Sequence, residues 1–159
     1  MLWGDVIGND KPFRLAHVAE EEGRVAARNA LGFSKFGYRT EMRYDRIPTT
    51  IFTNPMITGV GKRERELERG GYVVGKCFYL ANSRAHCEGD TAGFVKILVN
   101  PKTHEILGAS AVGSEVGIHE IAIAMEAEAT IETLANLIPF HPSRNEAVKR
   151  AAESALRQL

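Results

Sequence analysis

Cysteine is scarce in this sequence, and the two present, Cys77 and Cys87, are not spaced as a redox or metal pair. Cys-x-x-Cys chemistry needs thiols two residues apart, whereas nine residues lie between these. They are expected to be free and buried, the usual state of thiols in a reducing compartment. An excess of charge is also missing. Twenty Lys and Arg balance twenty Asp and Glu, and no basic stripe carries interleaved aromatics, so neither nucleic acid nor a membrane surface is expected as a partner. Long apolar runs are absent as well. Neither the opening MLWGDVIGNDKPFRL nor any later stretch joins a charged start to an unbroken hydrophobic segment. No secretion signal or transmembrane helix is therefore expected, and a cytoplasmic setting is the default. The glycines at 59, 61, 70, 71 and 75 do not spell G-x-G-x-x-G at a helix mouth, which excludes a phosphate loop there. His17, His86, His104 and His119 stand apart without paired ligand spacing, so no metal site is expected.

What is present suits a globular fold: 159 residues with 44% apolar content, enough for one sizeable domain or for one domain plus a fragment of another. From Leu15 to Leu31 the apolar residues Leu15, Val18, Ala19, Val25 and Ala26 return at helical intervals, and Gly32 is a natural stop. The charged, aromatic stretch that follows breaks this period, which places a domain boundary near Tyr44 and divides the chain into 1–44 and 45–159. Strand-like runs then recur from Thr49 to Thr53, Tyr72 to Leu80, Gly93 to Val99 and Ile106 to Val112, with a hairpin at Asn100 and Pro101. A charged helix is predicted from Lys62 to Arg69. Past Gly113 the period lengthens. Ile118, Ile121, Ala122, Met125 and Ala129 share one helix face, and Val148, Ala151, Ala152 and Ala155 share another. Strands grouped before helices predict an α+β domain, an antiparallel sheet covered by helices on one side, preceded by a helical segment. The face made by Ile118, Ile121, Ala122 and Met125 is expected to need a partner to cover it.

Two clusters can carry chemistry. In Phe140-His141-Pro142-Ser143-Arg144-Asn145-Glu146 the proline holds His141 extended, so its ring projects just ahead of the final helix. A carboxylate at one ring nitrogen would fix the tautomer of such a base, and Glu146 is the candidate. The same residues also spell S-x-x-E, a capping box in which the glutamate binds its own helix backbone, and local sequence favours this second reading. The other cluster is Trp3-Gly4-Asp5-Val6-Ile7-Gly8, followed by Leu15-Ala16-His17. Asp5 suits a ligand hydroxyl and the helix start near Leu15 suits a ligand oxygen, but a turn aspartate and an ordinary helix start explain both equally well.

Five ordered segments, GDVIG with LAHVAEEEGRVAARNALG, IPTTIFTNPMITGVG, ANSRAHCEGDTAGFVKILVNPKTHEILGASAVG and FHPSRNEAV, resemble the pyridine nucleotide-disulfide oxidoreductase family, and within it the dihydrolipoamide dehydrogenase type. The resemblance implies that residues 1–44 are the tail of an FAD-binding domain. Asp5 would reach the flavin's ribityl and phosphate region, while Leu15, Ala16 and His17 would meet its isoalloxazine end. It implies that residues 45–159 are the dimerisation domain, pairing about a twofold axis into a homodimer. His141 would then act as acid and base on the partner's flavin and cysteine pair, oriented by Glu146, which reverses the local preference for capping. The family's usual H-P-T-x-S-E becomes His141-Pro142-Ser143-Arg144-Asn145-Glu146 here. A histidine often seen two positions earlier is replaced by Pro139, and Arg144 is placed to alter the pocket or the pair.

The resemblance also implies missing parts, because the complete enzyme needs glycine fingerprints for FAD and NAD(P) and a redox cysteine pair. The chain is therefore expected to be incompetent alone, to bind FAD weakly if alone, and to depend on a flavin- and NAD(P)-bearing portion or a separate chain. Mercuric reductase and soluble transhydrogenase share this domain and stay open as sources. A stand-alone interaction module without catalysis is the reading from a different class.

Overall fold

The computed structural model describes residues 14–32, 41–113 and 117–159. The chain divides into two compact units, Met1–Ile47 and Pro48–Leu159. In the first, helix α1 spans Ala16–Ala30 and buries Val18, Glu22 and Ala26, one residue per turn along a single face. The Tyr44 hydroxyl donates to the Glu22 side chain at 2.5 Å. Burial, then the Glu22 carboxylate, pushes Tyr44 up to about 12.

The second unit is built on five antiparallel strands: β1 Thr49–Ile51, β2 Ile57–Gly61, β3 Val73–Phe78, β4 Phe94–Val99 and β5 Ile106–Val112. They lie in the order β1-β2-β5-β4-β3, with β4 and β5 forming the expected hairpin. Helices α2 Ser83–Glu88, α3 Ile118–Glu126, α4 Ile131–Ala135 and α5 Glu146–Leu156 complete it. α5 packs on β3 and β4, α4 packs on α5, and α3 packs on β5 and β2. This is the α+β arrangement that grouped strands followed by grouped helices predict.

Alternation along β4 sends Val95, Ile97 and Val99 into one core with Ala109 and Ala111 of β5. Ile121, Ile131, Val148, Ala151 and Ala155 close that core from the helices. The alanines of α5 matter because they let the helix sit close to the sheet. A Cβ at Gly75 of β3 would lie 2.1 Å from the Ala151 carbonyl oxygen and 2.8 Å from the Ala155 Cβ, so only glycine fits beneath α5.

The structure corrects several sequence expectations. Lys62 to Arg69 is not a helix: one 3-10 turn, Glu64–Glu66, forms, with no buried residue to dock a longer one. β2 went unread because Gly59 and Gly61 dilute its strand pattern, although Gly59 is where the sheet admits no larger side chain easily, a Cβ there lying 3.2 Å from the Ala109 carbonyl oxygen. The strand expected to reach Leu80 stops at Phe78 and yields to the turn Tyr79–Ala81 and then α2. Both cysteines are free, but Cys87 is exposed on α2 and only Cys77 is buried. The face of α3 thought to need a partner is covered internally: Ile118, Ile121 and Met125 are buried in their own subunit's core. Among the described residues, no helix is long and apolar enough to cross a membrane.

The β4–β5 turn is tied to α4. The Asn100 side chain accepts from the Lys102 and Thr103 amides at 2.9 and 3.3 Å. The Ile131 amide donates to the His104 carbonyl at 3.0 Å, and the His104 ring meets Glu132 through Nδ1. The Thr130 hydroxyl, then His104, lowers the Glu132 carboxyl to about 2.

Two measurements follow. Gly75→Ala should lower the unfolding free energy by about 1–3 kcal/mol through overpacking, seen as an earlier urea midpoint with an unchanged slope. An unmoved midpoint would mean that β3 and α5 are not so close. Because Glu132 titrates lower folded than unfolded, its stabilisation is complete above about pH 4.5 and is lost as pH falls toward about 2. Glu132→Gln should therefore flatten the acid side of the stability profile, and an identical acid limb in the variant would contradict this.

Candidate active site at the mouth of the last helix

Residues 140–145 lead into α5, whose first residue is Glu146. Its carboxylate does both things the sequence allowed. Oε1 accepts the Ser143 amide at 2.8 Å, the backbone half of a capping box. The same carboxylate faces His141, with Nδ1 at 3.1 Å from one oxygen and 3.2 Å from the other. The Ser143 hydroxyl is buried and has no hydrogen-bond partner among the described residues, so the reciprocal half of the box is not made.

A carboxylate only accepts, so Nδ1 is the donor in this contact. The exposures differ in the sense an acid–base pair needs: the His141 side chain is 67% exposed and that of Glu146 12%. The Ser143 amide, ahead of the His141 ring and Arg150, holds the Glu146 carboxyl below the usual carboxylate range, while burial opposes them. Such a site presents an imidazole with a free nitrogen outward and a stable negative charge behind it. The His141–Pro142 peptide is cis.

The loop is fastened from the other side. Asn82, fully buried, donates from Nδ2 to the Ser143 carbonyl at 2.9 Å, and its Oδ1 accepts the Ala85 amide at 3.0 Å to cap α2. Arg144 turns to the end of α2. Its Nε donates to Glu88 at 2.6 Å, and Nη2 donates to the Asp90 carboxylate and carbonyl at 3.0 and 3.1 Å. The guanidinium also lies 5.1 Å from the centre of the Tyr79 ring. The Asn145 side chain donates to Glu120 on α3. Arg144 is thus engaged with α2 rather than directed at the His141–Glu146 pair.

The structure brings His141 and Glu146 together. Leu15, Ala16 and His17 form the start of α1 in the first unit, with Ala16 and His17 exposed. Asp5 lies outside the described residues. The remaining histidines show no shared ligand set: His86 meets the Leu80 carbonyl at 2.6 Å, and His104 meets Glu132. Among the described residues no group of three His, Cys, Asp or Glu is placed to hold a metal ion. Sequence reading missed Asn82, Glu88 and Asp90. Their signals were present, an asparagine at the cap position before Ser83 and two acids flanking the helix-ending Gly89, but nothing local ties them to a loop more than fifty residues away.

The second unit is thus an antiparallel sheet screened by helices, with a His-Pro loop opening the last of them. The chain belongs to the family described as the pyridine nucleotide-disulphide oxidoreductase dimerisation domain, whose model matches residues 47–152. It is 39% identical over 153 residues to the mitochondrial dihydrolipoyl dehydrogenase of Pisum sativum, covering 94% of this chain and 29% of that protein. It is 40% identical to leghemoglobin reductase of Glycine max, covering 94% of this chain and 28% of that protein. Its fold is similar to that of LpdA from Mycobacterium tuberculosis, with a TM-score of 0.82, 29% identity, and coverage of 99% of this chain and 33% of that one. It is also similar to the HOCl-induced flavoprotein disulfide reductase RclA from Escherichia coli, with a TM-score of 0.81, 25% identity, and coverage of 95% and 34%. The chain spans under a third of the length of the first two relatives.

Proposed function

We propose that this chain is the C-terminal dimerisation portion of a dihydrolipoamide dehydrogenase-like flavoprotein disulfide oxidoreductase, and that it supplies His141 and Glu146 as an acid–base pair across a homodimer. One observation supports this above the others: the exposed imidazole has one nitrogen fixed by a largely covered carboxylate and its other nitrogen unoccupied by any described residue. Nε2 takes the proton of a dithiol substrate, leaving a thiolate, the form that attacks a disulfide sulfur. The imidazolium so formed is stabilised by Glu146, which stays ionised because the Ser143 amide holds it so. As the substrate thiolate bonds to one sulfur of a disulfide on the flavin-bearing portion, the S–S bond breaks and the departing thiolate would take the proton from Nε2.

In the complete assembly FAD supplies the electron-accepting chemistry, and NAD(P) belongs to the portion of the relatives that this chain does not span. Leu15, Ala16 and His17 at the start of α1 are assigned to one edge of the flavin site, together with Asp5. Residues 1–44 are accordingly read as the tail of an FAD-binding domain and residues 45–159 as the dimerisation domain. One edge is not enough for tight FAD binding, so the flavin-bearing portion must come from the same polypeptide or a separate chain. Ile138 and Phe140, 90% and 77% exposed just before His141, are apolar surface suited to a twofold contact beside the site. The free thiols suit a reducing compartment such as the cytoplasm.

In the complete assembly, His141→Ala should lower dithiol oxidation about a hundredfold or more, the span typical of a lost general base. Undiminished turnover would remove His141 from the chemistry. It would favour a non-catalytic dimerisation module.

A further inference from the structure

We infer that Asn82 and Arg144 are positioning residues for the His141–Glu146 pair, holding the intervening loop to α2 and the residues that follow it. The inference rests on the acid–base reading of that pair, but its geometry does not depend on flavin. Ser143 is bonded on both edges: its amide goes to Glu146 at 2.8 Å and its carbonyl receives Asn82 at 2.9 Å. Asn82 cannot turn away without also giving up the Ala85 amide, which it accepts at 3.0 Å as the cap of α2. The next residue is held more firmly than a surface ion pair would be. The Arg144 side chain is 10% exposed and is met by the Glu88 and Asp90 carboxylates, and Glu88 is in turn gripped by Arg84 at 2.6 Å. Arg144 first, then Arg84, holds the Glu88 carboxyl below its usual range.

Neither Asn82 nor Arg144 hydrogen-bonds His141 or Glu146 in the structure, so any effect on the pair passes through the backbone of the loop. An exposed histidine on an unfastened loop would sample several orientations, and the carboxylate would be left to cap its own helix. Fastening Ser143 and Arg144 puts the Ser143 amide where Glu146 must turn to meet it. That same turn brings both carboxylate oxygens to Nδ1. Outer groups that orient a functional imidazole through its supporting shell are a general device of sites with demanding geometry.

The test is nuclear magnetic resonance on the 159-residue chain, with the His141 ring nitrogen shifts reporting the tautomer and the Glu146 side-chain carbon reporting its titration. In Arg144→Ala and in Asn82→Ser, the Nδ1–H form of His141 should lose population to Nε2–H, and Glu146 should titrate higher than in the wild type. Asn82→Ser keeps an oxygen able to cap α2, so it removes the tie to Ser143 while sparing the helix. The Glu88→Gln/Asp90→Asn double variant changes only the exposed partners and should move both signals in the same direction. A folded variant set with unchanged tautomer and unchanged Glu146 titration would overturn the inference, even if its melting temperature fell. Loss of folding in the double variant would make the network a support of the fold alone and would overturn it too. Because these signals are read without flavin or turnover, they stand apart from the His141→Ala result, which bears on the acid–base reading alone.

Discussion

A single carboxylate, shared between a backbone amide and an imidazole, organises the functional end of this molecule. Glu146 accepts the Ser143 amide and faces His141 Nδ1 at the same time, so helix capping and histidine orientation are one interaction rather than competitors. Each depends on the other. Without the amide the carboxylate loses the group that does most to keep it ionised, and without the carboxylate the ring has nothing to fix its tautomer. The carboxylate is mostly buried while the ring is exposed, so the pair sets a shielded acceptor behind a solvent-facing imidazole.

The rest of the second unit serves to put that carboxylate in place. α5 begins with Glu146 and runs down over β3 and β4, seated by five buried small or branched residues, Ala147, Val148, Ala151, Ala152 and Ala155. The close fit of Ala151 and Ala155 over Gly75 leaves the helix little freedom to slide or roll. α4 packs against α5 and is itself pinned to the β4–β5 turn by His104 and Glu132, so the far side of the helix is braced as well. A core of this kind fixes the helix mouth, and the loop ahead of it inherits the position.

The long elements were legible from residue pattern. Alternation identified β4 and β5 and their hairpin, and helical spacing identified α1, α3 and α5, because each has enough periodic apolar residues to show which face it buries. β2 and α2 were not legible for a physical reason. β2 is thinned by glycines that close packing demands, and α2 has six residues, too few for a period to appear, and is held by Asn82 and Gly89 instead. Lys62 to Arg69 shows the opposite failure, helix-forming residues with no buried face to stabilise them. At the site, His141 and Glu146 stood out through five-residue spacing and a familiar motif. The contacts of Asn82, Glu88 and Asp90 with the loop arise only from tertiary folding, which no local window contains. Capping and contact with the histidine are not exclusive: the Glu146 carboxylate accepts the Ser143 amide and also faces the His141 ring.

The proposed function has His141 of one subunit serve a site on the other. The most direct measurement uses the complete assembly in two inactive forms, one carrying His141→Ala and the other lacking the flavin-side cysteine pair. If the imidazole works across the twofold axis, mixed dimers combine one intact histidine with one intact cysteine pair at the same site, and dithiol turnover returns on subunit exchange. Mixed dimers that form and remain as inactive as their parents would contradict the account at its centre.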